Sequence, residues 1–372
     1  MKLSTSLIWL SIACLFLSSP SLAQTKELDS IEALLKTSTD TARVDLLRNK
    51  AYLIRSTDME KALALFKESV DKSEQLGYAR GQIYGLYNLA ITHGMASNYS
   101  ESLEYLGPCL SLAKKHEDIE TIIDTYMTYG IIYKRIGDYV TSQNYYLKSL
   151  KVVDSLQFYH YEAVSHTYIN LGVLYNLMEQ QNKALNSYNK ALELAPQDEY
   201  EKIEHRVLSN LSDIDIQNME YQNALDKILK VAAYSEKQED IEVIGLSNNY
   251  AQIGFCYLKL EQWEQSEKYL RQSLELAQKL SLQQEIAMAY AYLAELMLEQ
   301  GKTSQAVFFS DKNLKALEVN GEYELKEKAH NLASDIYSKT GNYPKANYHL
   351  KQTMAYQDSL LNETKVREIQ NL

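Results

Sequence analysis

Eight small residues recur along the chain at a nearly constant interval: Ala62, Ser102, Ser142, Ala184, Ala224, Ser266, Ala306 and Ala346, with gaps of 40, 40, 42, 40, 42, 40 and 40. A fixed period of this length marks a repeat array, and it leaves little room for any other kind of fold. Four residues after the small position most copies carry a large apolar or aromatic side chain: Phe66, Leu106, Tyr146, Tyr188, Ile228, Leu270 and Leu350. The repeating unit therefore reads as a packed helical hairpin. One hairpin cannot bury its apolar side alone, so each copy must lean on its neighbours.

The copy from Tyr168 to Pro196 shows what each position does. It carries Tyr168, Leu171, Gly172, Tyr175, Ala184, Tyr188, Ala191 and Pro196 in order. Gly172 and Ala184 lack bulk, so two antiparallel helices can approach closely while Tyr175 and Tyr188 fill the gaps around them. Other copies keep parts of the pattern: Gly130 with Tyr133 and Gly137-Asp138-Tyr139, Gly254 with Tyr257, and Tyr337 with Gly341-Asn342-Tyr343. This order and spacing resemble the tetratricopeptide repeat. The resemblance implies an all-α fold, an α–α superhelix of eight hairpins from about residue 41 to 361, and a function in protein or peptide recognition.

The copies depart from that family in length, with 40 to 42 residues against the usual unit of about 34. At about 1.5 Å per residue each helix gains roughly one turn. Long-unit tetratricopeptide arrays occur in bacterial regulators that sense peptides or proteins. The first copy is degenerate, with Asn49 and Lys50 where Leu-Gly belongs, and the fifth has Asp215 where Tyr is expected. Asp215 is expected to face a Lys or Arg of a neighbouring unit. Gly107-Pro108 falls inside a second helix, where proline removes a main-chain hydrogen bond and is expected to kink or break the helix.

Residues 1–23 hold one charge, Lys2, an apolar run from Leu7 to Leu17, and Ser21-Leu22-Ala23. These are the three regions of a secretory signal peptide, with cleavage expected after Ala23. Cys14 raises a lipoprotein signal, against which Ser11 stands where Leu is normally required. An uncleaved anchor would need about 17 to 25 apolar residues, more than the run provides. A helical segment is expected over 24–40, near Asp29–Lys36. Beyond the array, 362–372 reads as the start of a coiled linker, with Val366, Ile369 and Leu372 on one face. Such segments resemble the linker before a transmembrane helix in Bacteroidetes-type signalling proteins. The expected function is thus the extracytoplasmic sensor part of a membrane signalling protein of the histidine kinase or helix-turn-helix type. The alternative is a free periplasmic scaffold for assembly of envelope complexes. Either reading places the array in the periplasm, tethered to the membrane only through a downstream segment or an uncleaved signal.

Composition narrows the partners. The chain has a net charge of −11, and losing the signal removes Lys2 alone, which gives −12. An acidic array is a poor ligand for nucleic acid, which needs clustered Lys and Arg. Cys109 and Cys256 lie more than three repeats apart and read as packed thiols.

Catalysis finds little support. His93 stands at the first-helix Tyr position and reads as a packed imidazole; His116, His160, His166, His205, His330 and His349 are scattered over different copies. His160 and His166 lack the i, i+4 spacing of a helical zinc pair. Glu117-Asp118, Glu239-Asp240 and Glu261 fall at turns, and Asp213 and Asp215 point different ways on a helix. No enzyme, metal or cofactor is expected.

What remains is a binding face. The register puts Asn88, Asn170, Asn210 and Gln252 at one equivalent first-helix position, interrupted by Thr128 and Tyr292. A carboxamide both donates and accepts, which suits an extended peptide backbone. In some tetratricopeptide arrays, O-GlcNAc transferase among them, asparagines at this position form a ladder that grips a peptide. Tyr84, Tyr87 and Tyr292 fall on the same side, with Arg206 as a candidate anchor for an acidic group. Lys134 and Arg135 read as solvated side chains at a helix end.

Overall fold

The computed structural model describes residues 22–156, 161–237, 243–318 and 323–370. Residues 1–21 of the signal segment, Cys14 among them, and His160 and Glu239-Asp240 lie outside the described residues. Seventeen helices and no strand are found among those described. Helix α1 (Leu22–Leu35) precedes eight helical hairpins. The first four pair α2 (Asp40–Ile54) with α3 (Met59–Leu76), α4 (Ala79–Met95) with α5 (Tyr99–Lys115), α6 (Ile119–Ile136) with α7 (Tyr139–Leu156), and α8 (Tyr161–Leu177) with α9 (Gln181–Glu193). The second four pair α10 (Tyr200–Gln217) with α11 (Tyr221–Ser235), α12 (Val243–Lys259) with α13 (Trp263–Lys279), α14 (Gln283–Glu299) with α15 (Thr303–Ala316), and α16 (Tyr323–Lys339) with α17 (Tyr343–Gln370). The residues form two compact units that divide between Glu204 and His205. Within each unit the first helices of successive hairpins touch one another, as α4 does α6 and α12 does α14. They build a first-helix face.

The eight small residues sit where the two helices of each hairpin meet. All are buried, seven of them with no exposed surface. The serine copies add a hydrogen bond: Ser102, Ser142 and Ser266 donate to the carbonyls of Ala90, Gly130 and Gly254, twelve residues back on the facing helix, at 2.7, 2.7 and 2.8 Å. The large residue four positions on then lies directly over the small residue of the first helix. A Cβ added at Gly130 would stand 2.4 Å from Tyr146, one at Gly172 2.3 Å from Tyr188, and one at Gly254 2.6 Å from Leu270. Those glycines are required by contact, not by backbone conformation.

The turn between the helices is equally regular. Ser97, Gly137, Glu179, Met219, Glu261, Gly301 and Gly341 all have positive φ. The amide after each donates to the carbonyl five residues back, for example Asn98 to His93 at 2.9 Å, Gln180 to Tyr175 at 2.8 Å and Gln262 to Tyr257 at 2.9 Å. This is the Schellman closure, which satisfies a carbonyl orphaned at the helix end.

Two expectations are corrected. Helix α5 runs unbroken through Pro108, whose ring is exposed to solvent. Leu350, grouped with the core residues by its register, is 46 % exposed, with Met354 and Tyr343 also exposed on α17. The equivalents Tyr146, Tyr188 and Leu270 lie over a glycine of their own first helix, whereas in the last hairpin His349, one position earlier, is buried against His330 and Tyr337 instead.

Two substitutions test this packing. Gly172→Ala should lower stability by roughly 1–3 kcal/mol in denaturant unfolding, because Tyr188 must move away from the new methyl group. Met219→Gly should raise it by about 0.5–1 kcal/mol, since Met219 is 69 % exposed and left-handed, and glycine relieves the backbone strain at little loss of contact.

Candidate functional site

In the unit up to Glu204 the first-helix face carries Tyr84, Tyr87 and Asn88 on α4 and Asn170 on α8. Tyr84 is half-buried, with the guanidinium groups of Arg48 and Arg80 at 5.1 and 5.4 Å from its ring centre. Tyr87 bridges to the next hairpin through its hydroxyl, 3.4 Å from Thr128 Oγ1 on α6. Burial pushes its phenol well above the ordinary range. Asn88 is half-buried, and its Nδ2 donates to the Tyr84 carbonyl four residues back at 2.7 Å. Asn170 is also half-buried.

The expectation for Lys134 and Arg135 is corrected here. Lys134 is buried, and burial followed by the neighbouring Arg135 charge brings its ammonium down to about 7. Its register position is a packed one: the equivalents Ile54, Leu258 and Leu298 are buried as well. Arg135 is half-buried and donates to the Gly94 carbonyl of the preceding hairpin at 2.9 Å. Nearness to a helix end did not mean contact with water, because this register position is packed in each of these copies and Arg135 reaches back to the preceding hairpin.

In the unit from His205 onward the face carries Arg206 and Asn210 on α10, Gln252 on α12 and Tyr292 on α14. Arg206 is exposed, and its carbonyl accepts Asn210 Nδ2 at 2.7 Å. Asn88 and Asn210 each spend one Nδ2 hydrogen on their own helix, which leaves the amide oxygen and the second N–H of each for a ligand. Gln252 is turned differently: it is 3 % exposed and its Nε2 donates to Asp213 Oδ1 at 3.1 Å. Tyr292 packs on Phe255, ring centres 4.9 Å apart, and burial pushes its phenol up.

The acids on this face differ in their partners. Asp215 pairs with Lys227 at 2.5 Å, so its partner lies on α11 of the same hairpin and not in a neighbouring unit as expected. Glu295 pairs with Lys259. Burial raises Asp213 to about 7, against a lowering by the Gln252 hydrogen bond. Sequence reasoning missed the joining of Asp213 to Gln252; the signal was a constant offset, since the ninth residue of one first helix lies beside the sixth of the next.

Residues 121–197 and 244–318 match the tetratricopeptide repeat model. Over those two stretches the chain is similar to the tetratricopeptide repeat. It is similar to tetratricopeptide repeat protein 29 of Macaca fascicularis, 28% identical over 42% of this chain and 34% of that one, and to its Homo sapiens counterpart, 21% identical over 72% and 60%. The chain therefore spans about a third to three-fifths of these relatives. Among solved structures it resembles the apo form of the quorum sensor NprR from B. thuringiensis, with TM-score 0.66, 15% identity and 90% and 93% coverage. It also resembles a Rap protein complexed with competence and sporulation factor, with TM-score 0.62, 13% identity and 92% and 100% coverage. A third likeness is a signal transduction ATPase with a tetratricopeptide repeat sensor, PH0952 from Pyrococcus horikoshii, at TM-score 0.60, 16% identity, and 94% and 55% coverage. At these identities the likeness carries the fold, an α-solenoid.

Elsewhere in the array both cysteines and His93 are packed. Cys109 and Cys256 are free and buried, and burial pushes their thiols to about 11 and about 12. His93 stacks on Tyr105 at 5.4 Å, and burial lowers it. Among the described residues no three His, Cys, Asp or Glu side chains are grouped to hold a metal, and no helix is long and apolar enough to cross a membrane.

One pair of histidines joins the last two helices. His330 on α16 and His349 on α17 place their Nδ1 atoms 2.9 Å apart, and His349 stacks flat on Tyr337. Burial, then His349 and Lys326, lowers His330 to about 4; burial lowers His349 too, against the pull of Asp311. A histidine whose folded value lies below its unfolded one resists protonation in the fold, so stability is full above about 6.5 and falls as pH drops toward 4. Unfolding of the wild type between pH 7 and 4.5 should show this loss. His349→Phe should flatten it, and an unchanged slope in that variant would assign the acid sensitivity elsewhere.

Proposed function

We propose that the array binds an extended peptide or polypeptide segment on its first-helix faces and serves as the extracytoplasmic sensor of a membrane signalling protein. The observation that carries the binding reading is the set of carboxamides at one register position. Asn88 in one unit and Asn210 in the other each keep an amide oxygen and one amide N–H beyond the bond to their own helix. Such a group can accept from and donate to a peptide main chain and is indifferent to side-chain identity.

Two further points support the sensor role. The neighbours in fold include a quorum sensor, a Rap protein complexed with a factor, and a signal transduction ATPase with a repeat sensor. The three-part leader in residues 1–23 supports export. The acidic charge of −11 argues for a polypeptide over a nucleic acid.

The binding reading is tested by fluorescence polarisation with a labelled pool of random octapeptides. Wild type should bind the pool; Asn88→Ala, Asn170→Ala, Asn210→Ala and Arg206→Ala together should weaken binding at least tenfold at unchanged far-ultraviolet helicity. Equal binding by the quadruple variant would discard this face. For location, a reporter enzyme that folds only outside the cytoplasm should be active when fused behind residues 1–40. An inactive fusion would remove the extracytoplasmic reading and with it the periplasmic scaffold.

A further inference from the structure

Asp213 is the acid on the first-helix face of the second unit that lacks a countercharge. Its neighbours are satisfied within the chain, Asp215 by Lys227 and Glu295 by Lys259. Asp213 receives one hydrogen bond, from Gln252 Nε2 at 3.1 Å, and no Lys or Arg among the described residues pairs with it. Gln252 itself is 3 % exposed, and its Oε1 has no hydrogen-bond partner. A buried amide oxygen without a donor is rare in folded proteins, because leaving water uncompensated costs free energy. The Asp213 carboxyl, whose one donor is Gln252 Nε2, and the unpaired Gln252 Oε1 therefore lie together, near Tyr292, which packs on Phe255.

We propose that Asp213 and Gln252 form a subsite for a cationic group of the bound polypeptide, an arginine side chain above all, with Phe255 and Tyr292 as its walls. This rests on the peptide-binding reading above and adds the side-chain preference that the backbone-directed asparagines cannot supply. A guanidinium brings several donors in one plane, so it can meet the free carboxylate oxygen of Asp213 and the Oε1 of Gln252 together. Its flat face also stacks on aromatic rings. A neutral donor would satisfy Gln252 and leave the carboxylate charge buried.

The groups facing Asp213 set the pH response. They are Asp215 on its own helix, Gln252 and Cys256 on α12, and Tyr292 on α14, with Glu295 held by Lys259. None of them is cationic toward Asp213, and burial raises its carboxyl to about 7, so below that pH the acid's own proton can serve Gln252 Oε1 in the free protein. A cation must meet the ionised form, and arginine keeps its charge throughout. Preference for arginine therefore grows as pH rises from 6 to 8.

Three labelled octapeptide pools, random except for one fixed central residue, make the test: arginine, its uncharged isostere citrulline, or glutamate. By fluorescence polarisation, wild type should bind the arginine pool at least tenfold more tightly than the citrulline pool at pH 8, with a smaller ratio at pH 6. Asp213→Asn should bring the ratio below twofold, while Asp226→Asn, on second helix α11, should leave it unchanged. Equal affinity for all three pools in the wild type overturns this subsite and leaves peptide binding standing. Binding of none of the pools overturns both. Should Asp213→Asn not fold, the wild-type pH series decides: a ratio that does not rise between pH 6 and 8 rejects the proposal.

Discussion

Every described hairpin after the first, where Lys50 takes the place, depends on one close contact, a small residue on the second helix set against a small residue twelve positions earlier on the first. Removing bulk there brings two backbones near enough for Tyr146, Tyr188 or Leu270 to lie across the facing glycine. The contact is strict where it uses glycine, because a methyl group would enter space already held by a ring. Where the copy uses serine, the hydroxyl reaches the facing carbonyl and ties the helices by a hydrogen bond as well as by fit. The helices lean together at this point, and the larger apolar side chains close over it.

From that contact the first-helix face follows. Holding the hairpins at one spacing brings the sixth residue of a first helix beside the ninth of the helix before it. The same geometry yields Tyr292 on Phe255 and Gln252 on Asp213, one apolar and one polar. The fold thus offers a standard address, and the residues placed there decide what it does.

The period of 40 to 42 residues made the hairpins and the buried small positions legible, since helical spacing and lack of bulk are local properties. Asp215 needing a cation was also legible, although which helix would supply Lys227 was not. Lys134 misled because charge and a helix end usually mean solvent, whereas its register position, shared with Ile54, Leu258 and Leu298, is a packed one. Leu350 misled because His349 takes the packed place one position earlier. Pro108 sits on the solvent side of α5, where the loss of one main-chain bond is tolerated. For the face residues, the type and register of Asn88 and Asn210 could be read, whereas the rotamer that turns each nitrogen onto its own helix could not.

The turns carry a consequence for how such a chain can change over time. Their closing hydrogen bonds run between main-chain atoms, from His93 to Asn98 and from Tyr257 to Gln262 alike. The side chain at the left-handed residue takes no part, so Ser97, Glu179, Met219 and Glu261 can stand where other copies have glycine. That corner is open to drift in charge and polarity, and the array can recolour its rim while its architecture stays fixed.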